Sequence, residues 1–220
     1  MKESNNQVEI SRIRREYLGA SLELGDLRAD PVEQFEKWFS NALEAGVIEP
    51  NAMSLATVDS EGRPSVRIVL LKGISDGKIT FFTNYTSLKA SEIATNPNVA
   101  LSFFWAELAR QVRIRGKAQK LSSEESDTYF QSRPHFSKIA AWASAQSRVL
   151  EDRRELEANF EKYLNKFSGE SEVPTPENWG GYAVEPYEWE FWQGRENRMH
   201  DRFRYRKNES GIYVIERLNP

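Results

Sequence analysis

Between Trp189 and Arg206 the chain places five arginines among five aromatic rings: Arg195, Arg198, Arg202, Arg204 and Arg206 alternate with Trp189, Phe191, Trp192, Phe203 and Tyr205. Guanidinium groups fork onto phosphate or carboxylate and also lie flat on conjugated rings. A surface built from both suits a ligand that is planar and anionic at once. The net charge of the whole chain is −3. Such a basic site is therefore local, and non-specific attraction to nucleic acid or anionic membrane is not expected.

Within this stretch Arg198-Met199-His200-Asp201-Arg202 is the sharpest element. His200 sits between arginines and beside an acid that either orients its ring or pairs with an arginine, and its neutral form accepts a proton near pH 7. Met199 is expected to pack. Upstream, Arg67-Ile68-Val69-Leu70-Leu71-Lys72 carries a cation at each end of an apolar run. These are either solubilising charges or a strand end that reaches phosphate. Phe82-Thr83-Asn84 followed by Ser87 and Lys89 at a helix start favours the second reading, because helix N-termini present unpaired amides to anions. Tyr129 and Arg133, four apart, share a helix face, and Ser137 follows Pro134. They form a second phosphate clamp or an ordinary surface helix end. Gln146-Ser147-Arg148 is a loop and cap or a phosphate contact. In Arg110–Gly116, Arg113 and Arg115 fit a half-exposed strand, and Gln111 is a candidate partner for a flat heterocycle.

The elements that must position these groups follow from periodicity and punctuation. Asp30-Pro31-Val32-Glu33 predicts a helix start with a capping box, followed by apolar residues at helical spacing and a stop at Gly46. Strands are predicted at 53–58, 65–72 and 78–83, with Asp76-Gly77 as a turn. Ser87 caps a short helix that ends before Pro97. Strands follow at 99–105 and 111–121. Ser122 and Glu125 open another helix, which stops near Pro134. Helices are predicted near 136–145 and 150–167, a loop at 168–178, and strands at 182–192, 198–206 and 212–218. Short links favour antiparallel pairing, and closing the sheet removes its edges. The expected class is α+β with a β-barrel core.

The 220 residues suffice for one large domain or two small ones. There is no cysteine, which excludes disulfides, thiolate catalysis and iron–sulfur clusters, and two histidines make a multi-histidine metal site an unsuitable reading. The first residues hold no apolar stretch of the leader type, and no run approaches a membrane span, so the expectation is a cytoplasmic protein.

Taken in order, Arg14-Arg15-Glu16-Tyr17, Asp26-Leu27 with Asp30-Pro31, Arg67–Lys72, Phe82-Thr83-Asn84, Arg110–Arg113, Tyr129-Phe130 with Ser132-Arg133-Pro134, Trp142-Ala143-Ser144 with Gln146-Ser147, Trp179–Tyr182, and Glu190–Gly194 through Arg198–Arg202 span nearly the whole chain. The chain thereby resembles the pyridoxine/pyridoxamine 5′-phosphate oxidase family of FMN enzymes. The resemblance implies an FMN-binding split β-barrel over 21–220 behind an N-terminal arm or lid over 1–20, working as a homodimer with FMN at the subunit interface. It implies that Arg67, Ile68, Val69, Leu70, Leu71, Lys72, Phe82, Thr83, Lys89, Gln111, Gln146, Ser147, Trp192 and Arg202 contact FMN. Lys72, Tyr129, Arg133 and Ser137 would take the substrate phosphate, with Met199 beside the ring that Arg198 and His200 hold over the flavin. Arg14 and Tyr17 would close above it.

The implied reaction is hydride transfer from pyridoxamine or pyridoxine 5′-phosphate to flavin, with O2 as final acceptor. Hydrogen peroxide is released, and ammonia also from the amine. One departure stands out: the family commonly has arginine just before the lysine matched by Lys89, and here that residue is Leu88. The rival readings are a split-barrel flavin protein without B6 activity, a nucleic-acid binder using stacked aromatics, and a purely structural barrel.

Overall fold

The computed structural model describes residues 16–17 and 20–220. Arg14 and most of the arm expected over 1–20 lie outside the described residues. Nine strands form one antiparallel sheet: β1 (Ala52–Val58), β2 (Pro64–Leu70), β3 (Gly73–Ser75), β4 (Lys78–Asn84), β5 (Asn98–Trp105), β6 (Arg110–Lys120), β7 (Trp179–Gln193), β8 (Asp201–Lys207) and β9 (Tyr213–Leu218). Their order is β2-β1-β5-β6-β7-β4-β3. The two strands at the ends of this path, β2 and β3, are joined by Leu71 and Lys72 alone. The sheet must therefore curl until its ends meet, which is the barrel expected from the need to hide edges.

The barrel is split along β7. Its first half (179–184) pairs with β4, its second half (188–193) pairs with β8, and β6 runs beside both. The register shifts between Arg115 and Gly116, opposite Pro186, where β7 carries one extra residue. Gly116 is required there, since a Cβ would stand 2.5 Å from the Glu185 carbonyl oxygen. Proline suits the same place because a bulge needs no ladder donor.

Among the described residues five α-helices flank the sheet: α1 (Pro31–Glu44), α2 (Leu88–Thr95), α3 (Ser123–Ser132), α4 (His135–Ala143) and α5 (Arg153–Lys166). Helix α1 seals the main core by burying Phe35, Trp38 and Ala42. Phe35 meets Phe103, Trp105 and Trp189, and Trp38 meets Phe191 edge-on. A smaller core of Phe130, Ile139, Phe167, Val173 and Trp179 ties α3–α5 to the start of β7. No helix among the described residues is long and apolar enough to cross a membrane.

Several local expectations change. At α1 the Asp30 carboxylate accepts from Val32 N at 2.6 Å, but Glu33 completes no capping box; Gln34 instead ties down the preceding loop by accepting from Arg28 N. Ser87 occupies the cap position of α2 without a cap bond, because its hydroxyl meets the Lys89 ammonium at 3.3 Å. The Ser122–Glu125 box forms as expected. The strand expected from Arg198 begins only at Asp201. Glu196–Arg198 makes a tight 3-10 turn with Asn197 and Arg198 at φ 55° and 61°. The strand expected over 65–72 ends at Leu70, so Lys72 falls just beyond β2.

Candidate active site

The residues singled out from sequence collect at two places. The first is a cleft of about 550 Å³ where the rim of β2 and β4 faces α2 and the α3–α4 corner. It brings together Ile68, Val69, Leu70, Lys72, Phe82, Thr83, Lys89, Tyr129, Arg133, Ser137 and Gln146 from six separate segments. Asn84, Ser144 and Trp179 also line it, and sequence reasoning gave none of them a ligand role.

Two cationic positions within the cleft have different chemistry. At one, the buried Lys89 ammonium donates to Thr83 Oγ1 (3.0 Å), Ser87 Oγ (3.3 Å) and Gln146 Oε1 (2.8 Å), all neutral oxygens. Burial foremost, then the nearby Arg67 charge, brings its pKa down to about 8, with Glu92 acting in the opposite direction. The lysine also stands in the first turn of α2, where the helix presents its positive end. At the other position, Arg133 lies over the Trp179 ring at 4.9 Å and the Phe130 ring at 5.5 Å. Its Nη1 is buried with no hydrogen-bond partner among the described residues. Buried donors are rarely left so, and an anion in the cleft would satisfy it. Phe82 links the two positions, with its ring stacked 3.8 Å from Tyr129 and 5.4 Å from Trp179.

The second place is the turn between β7 and β8. Trp192 and His200 rings lie 4.7 Å apart, and Tyr17 packs edge-on to both. Gly194 makes that approach possible, since a Cβ there would meet Tyr17 Cγ at 2.8 Å. His200 Nδ1 accepts from Arg195 N at 3.0 Å, so the neutral ring carries its proton on Nε2. Burial, then the Arg198 charge, lowers the His200 pKa, against the pull of Asp201. Asp201 does not hold the imidazole. It accepts from Leu22 N, Arg195 Nη1 and Arg217 Nη1, each at 3.0 Å. Arg198 and Met199 are exposed on the turn. Gln111 pairs across the ladder with Trp192. Arg202 is clamped by Glu190 (2.9 Å from Nε) and by the Asn219 carbonyl (2.8 Å from Nη1).

Three candidates stand outside both clusters. Arg67 is turned to Glu92, Leu71 is in the core, and Ser147 is exposed after Gln146 with φ 69°. Asp201 takes the second of its two expected roles, pairing with arginine. Glu92, Glu190 and the bond from Leu22 N to Asp201 were not anticipated; only Glu92, three residues after Lys89 on α2, had a periodic signal.

A curled, split antiparallel barrel with a cation-lined cleft at its rim defines the split-barrel class of folds, and the comparisons narrow it. A family model described as pyridoxamine 5′-phosphate oxidase matches residues 39–167, and one described as the pyridoxine 5′-phosphate oxidase C-terminal dimerisation region matches residues 179–220. The chain is 53% identical over 214 residues to a pyridoxine/pyridoxamine 5′-phosphate oxidase of Deinococcus deserti, covering 97% of this chain and 100% of that one. It is 48% identical over 213 residues to its counterpart in Salinibacter ruber, covering 96% and 99%. Among solved structures, PhzG from Burkholderia lata in complex with tetrahydrophenazine-1-carboxylic acid superposes with a TM-score of 0.86 at 30% identity, covering 94% of this chain and all of that one. The chain belongs to the pyridoxine/pyridoxamine 5′-phosphate oxidase family.

Proposed function

We propose that two copies of this chain form an FMN-dependent oxidase that converts pyridoxamine and pyridoxine 5′-phosphate to pyridoxal 5′-phosphate. O2 is the acceptor; hydrogen peroxide is released, with ammonia from the amine. The observation that carries this reading is the unpartnered Arg133 Nη1 in a cleft that already holds a separate lysine site. A protein that merely stores flavin needs one phosphate anchor, and this cleft offers two. The curated relatives near 50% identity bear the oxidase name over their full length, whereas PhzG, with its phenazine ligand, stands at 30%.

FMN fits the residues present. Lys89, Gln146 and Ser147, with Arg67, would hold its phosphate. Ile68, Val69 and Leu70 of β2, Lys72 just beyond it, Phe82 and Thr83 would line its body, and Gln111, Trp192 and Arg202 would meet the ring. Bound flavin supplies the redox chemistry, accepting hydride from the substrate carbon that bears the amine or alcohol. The side chains of the protein bind and orient. Lys72, Tyr129, Arg133 and Ser137 take the substrate phosphate, and Arg198 and His200 fix the pyridine ring beside Met199. The Nδ1 bond from Arg195 leaves Nε2–H of His200 as a donor, so this ring positions the substrate and does not act as a base. Tyr17, packed against Trp192 and His200, closes over the ring.

Two chains are needed because the cleft and the turn sit at opposite ends of β7. Trp179 lines the cleft and Trp192 belongs to the turn, with roughly 40 Å of strand between them at about 3.3 Å per residue. No single nucleotide-sized ligand spans that length. A second copy is also favoured by an exposed apolar face on β2 and β5, where Val66, Ile68 and Phe104 are 67%, 64% and 53% exposed around small residues of β1. The test is anaerobic mixing of FMN-loaded protein with pyridoxamine 5′-phosphate. The flavin absorbance should bleach within the turnover time; a spectrum that stays oxidised with both vitamers rejects the proposal.

A further inference from the structure

Beneath Lys89 lies an acid that the proposed reaction does not use. Glu92 is 4% exposed and stands one turn along α2 from Lys89. Its carboxylate accepts from Ser65 Oγ (2.7 Å), Arg67 Nη2 (3.1 Å) and the Thr57 hydroxyl. Arg67 Nη1 is held in turn by Thr57 Oγ1 and, at 3.4 Å, by the Leu55 and Ser65 carbonyls. One guanidinium is thus fixed by a carboxylate, a hydroxyl and two backbone oxygens, one from the neighbouring β1 and one from its own strand. These hydrogen bonds keep the Glu92 carboxyl below its ordinary range despite its burial.

A buried ion pair of this kind is poor scaffolding. Well-packed apolar residues of similar volume commonly serve stability as well or better. What the pair does supply is a cation with a set direction, near enough to Lys89 for each to act on the other's charge. Resting on the reading that Arg67 and Lys89 take the FMN phosphate, we propose that Glu92 is a positioning residue that aims Arg67 and so makes the site select phosphorylated flavin over riboflavin. Leu88, exposed at the first position of α2, adds no charge of its own, which leaves the selection to Lys89 and the aimed Arg67.

The experiment is titration of full-length apoprotein with FMN and with riboflavin, followed by quenching of flavin fluorescence. Glu92→Ala should weaken FMN about ten- to hundredfold, the worth of one charge-assisted contact, and leave riboflavin unchanged. Glu92→Gln should keep most of the preference, because its amide oxygen still accepts from Arg67. Arg67→Ala is the control for the site itself and should lose the preference as Glu92→Ala does. If Arg67→Ala loses the preference for FMN and Glu92→Ala keeps it, or if Glu92→Ala weakens both flavins equally, the positioning role is overturned while the phosphate site stands. Loss of preference in Glu92→Gln as complete as in Glu92→Ala also overturns it. If Arg67→Ala leaves the preference intact, the phosphate reading fails and the inference falls with it. Glu92→Leu, which fills the space without an acceptor, gives the same comparison should the alanine variant not fold.

Discussion

Replacing Arg133 by alanine separates a ligand-binding arginine from a structural one. Its Nη1 is buried without a partner among the described residues, so removing it relieves a desolvation cost of about 1–3 kcal/mol. The same change forfeits the contacts over Trp179 and Phe130, worth about 0.5–2 kcal/mol. These nearly cancel, and the melting temperature of ligand-free protein should move by no more than about 4 °C. Binding has no such compensation. One charge-assisted contact to phosphate is worth about 1.5–3 kcal/mol, so the KM for pyridoxamine 5′-phosphate should rise roughly 10- to 150-fold. Turnover at saturation should fall much less, because the phosphate is remote from the reacting carbon and is gripped alike before and during reaction. Steady-state kinetics and a thermal melt on one preparation check both halves. An unchanged KM with a large fall in melting temperature would refute the reasoning, since it would make Arg133 part of the fold alone.

Three further outcomes follow from the site. Lys89 titrates near 8 in the ligand-free protein, against 10.5 when free. Its folded pKa is depressed, so between these values the unfolded state holds more protons and this group makes stability rise with pH, while FMN affinity falls above pH 8; Lys89→Met should flatten both profiles in melts and FMN titrations. Gly194→Ala should push Tyr17 off the turn and raise the substrate KM several-fold without unfolding the barrel, as read by kinetics alongside circular dichroism. Leu88→Arg should tighten FMN by about tenfold, one added contact at the start of α2; equal dissociation constants for the two proteins would count against a phosphate at that helix end.

Much of the framework was legible because it depends on local chemistry. Asp30 and Pro31 start α1, Ser122 and Glu125 start α3, and Asp76-Gly77 turns the β3–β4 hairpin, each through neighbours in sequence. The start of β8 was not legible in this way. The alternation of Phe203 and Tyr205 invited extension back to Arg198, but Asn197 and Arg198 take left-handed backbone, and for arginine no pattern announces that. The site divides along the same line. Lys89 was legible from its place at a helix start. Helical spacing offered Tyr129, Arg133 and Ser137 as a clamp beside the plainer reading of a helix end; Lys72 joined them only through family resemblance. Glu92 stayed hidden because Arg67 is on another element, and the tie of Asp201 to Leu22 N because that donor comes from near the other end of the chain. Acids whose partners are distant in sequence look like ordinary surface charge until the fold is known.

The placing of cleft and turn at opposite ends of β7 bears on inheritance as well as chemistry. In the two-chain arrangement proposed above, each reaction centre borrows its turn from the neighbouring polypeptide. At low substrate concentration a chain impaired at Arg133 and another impaired at Arg198 would each work poorly by themselves, yet a mixed pair keeps one centre free of both lesions. Two such alleles expressed in the same cell should complement each other, whereas two lesions within one half should not.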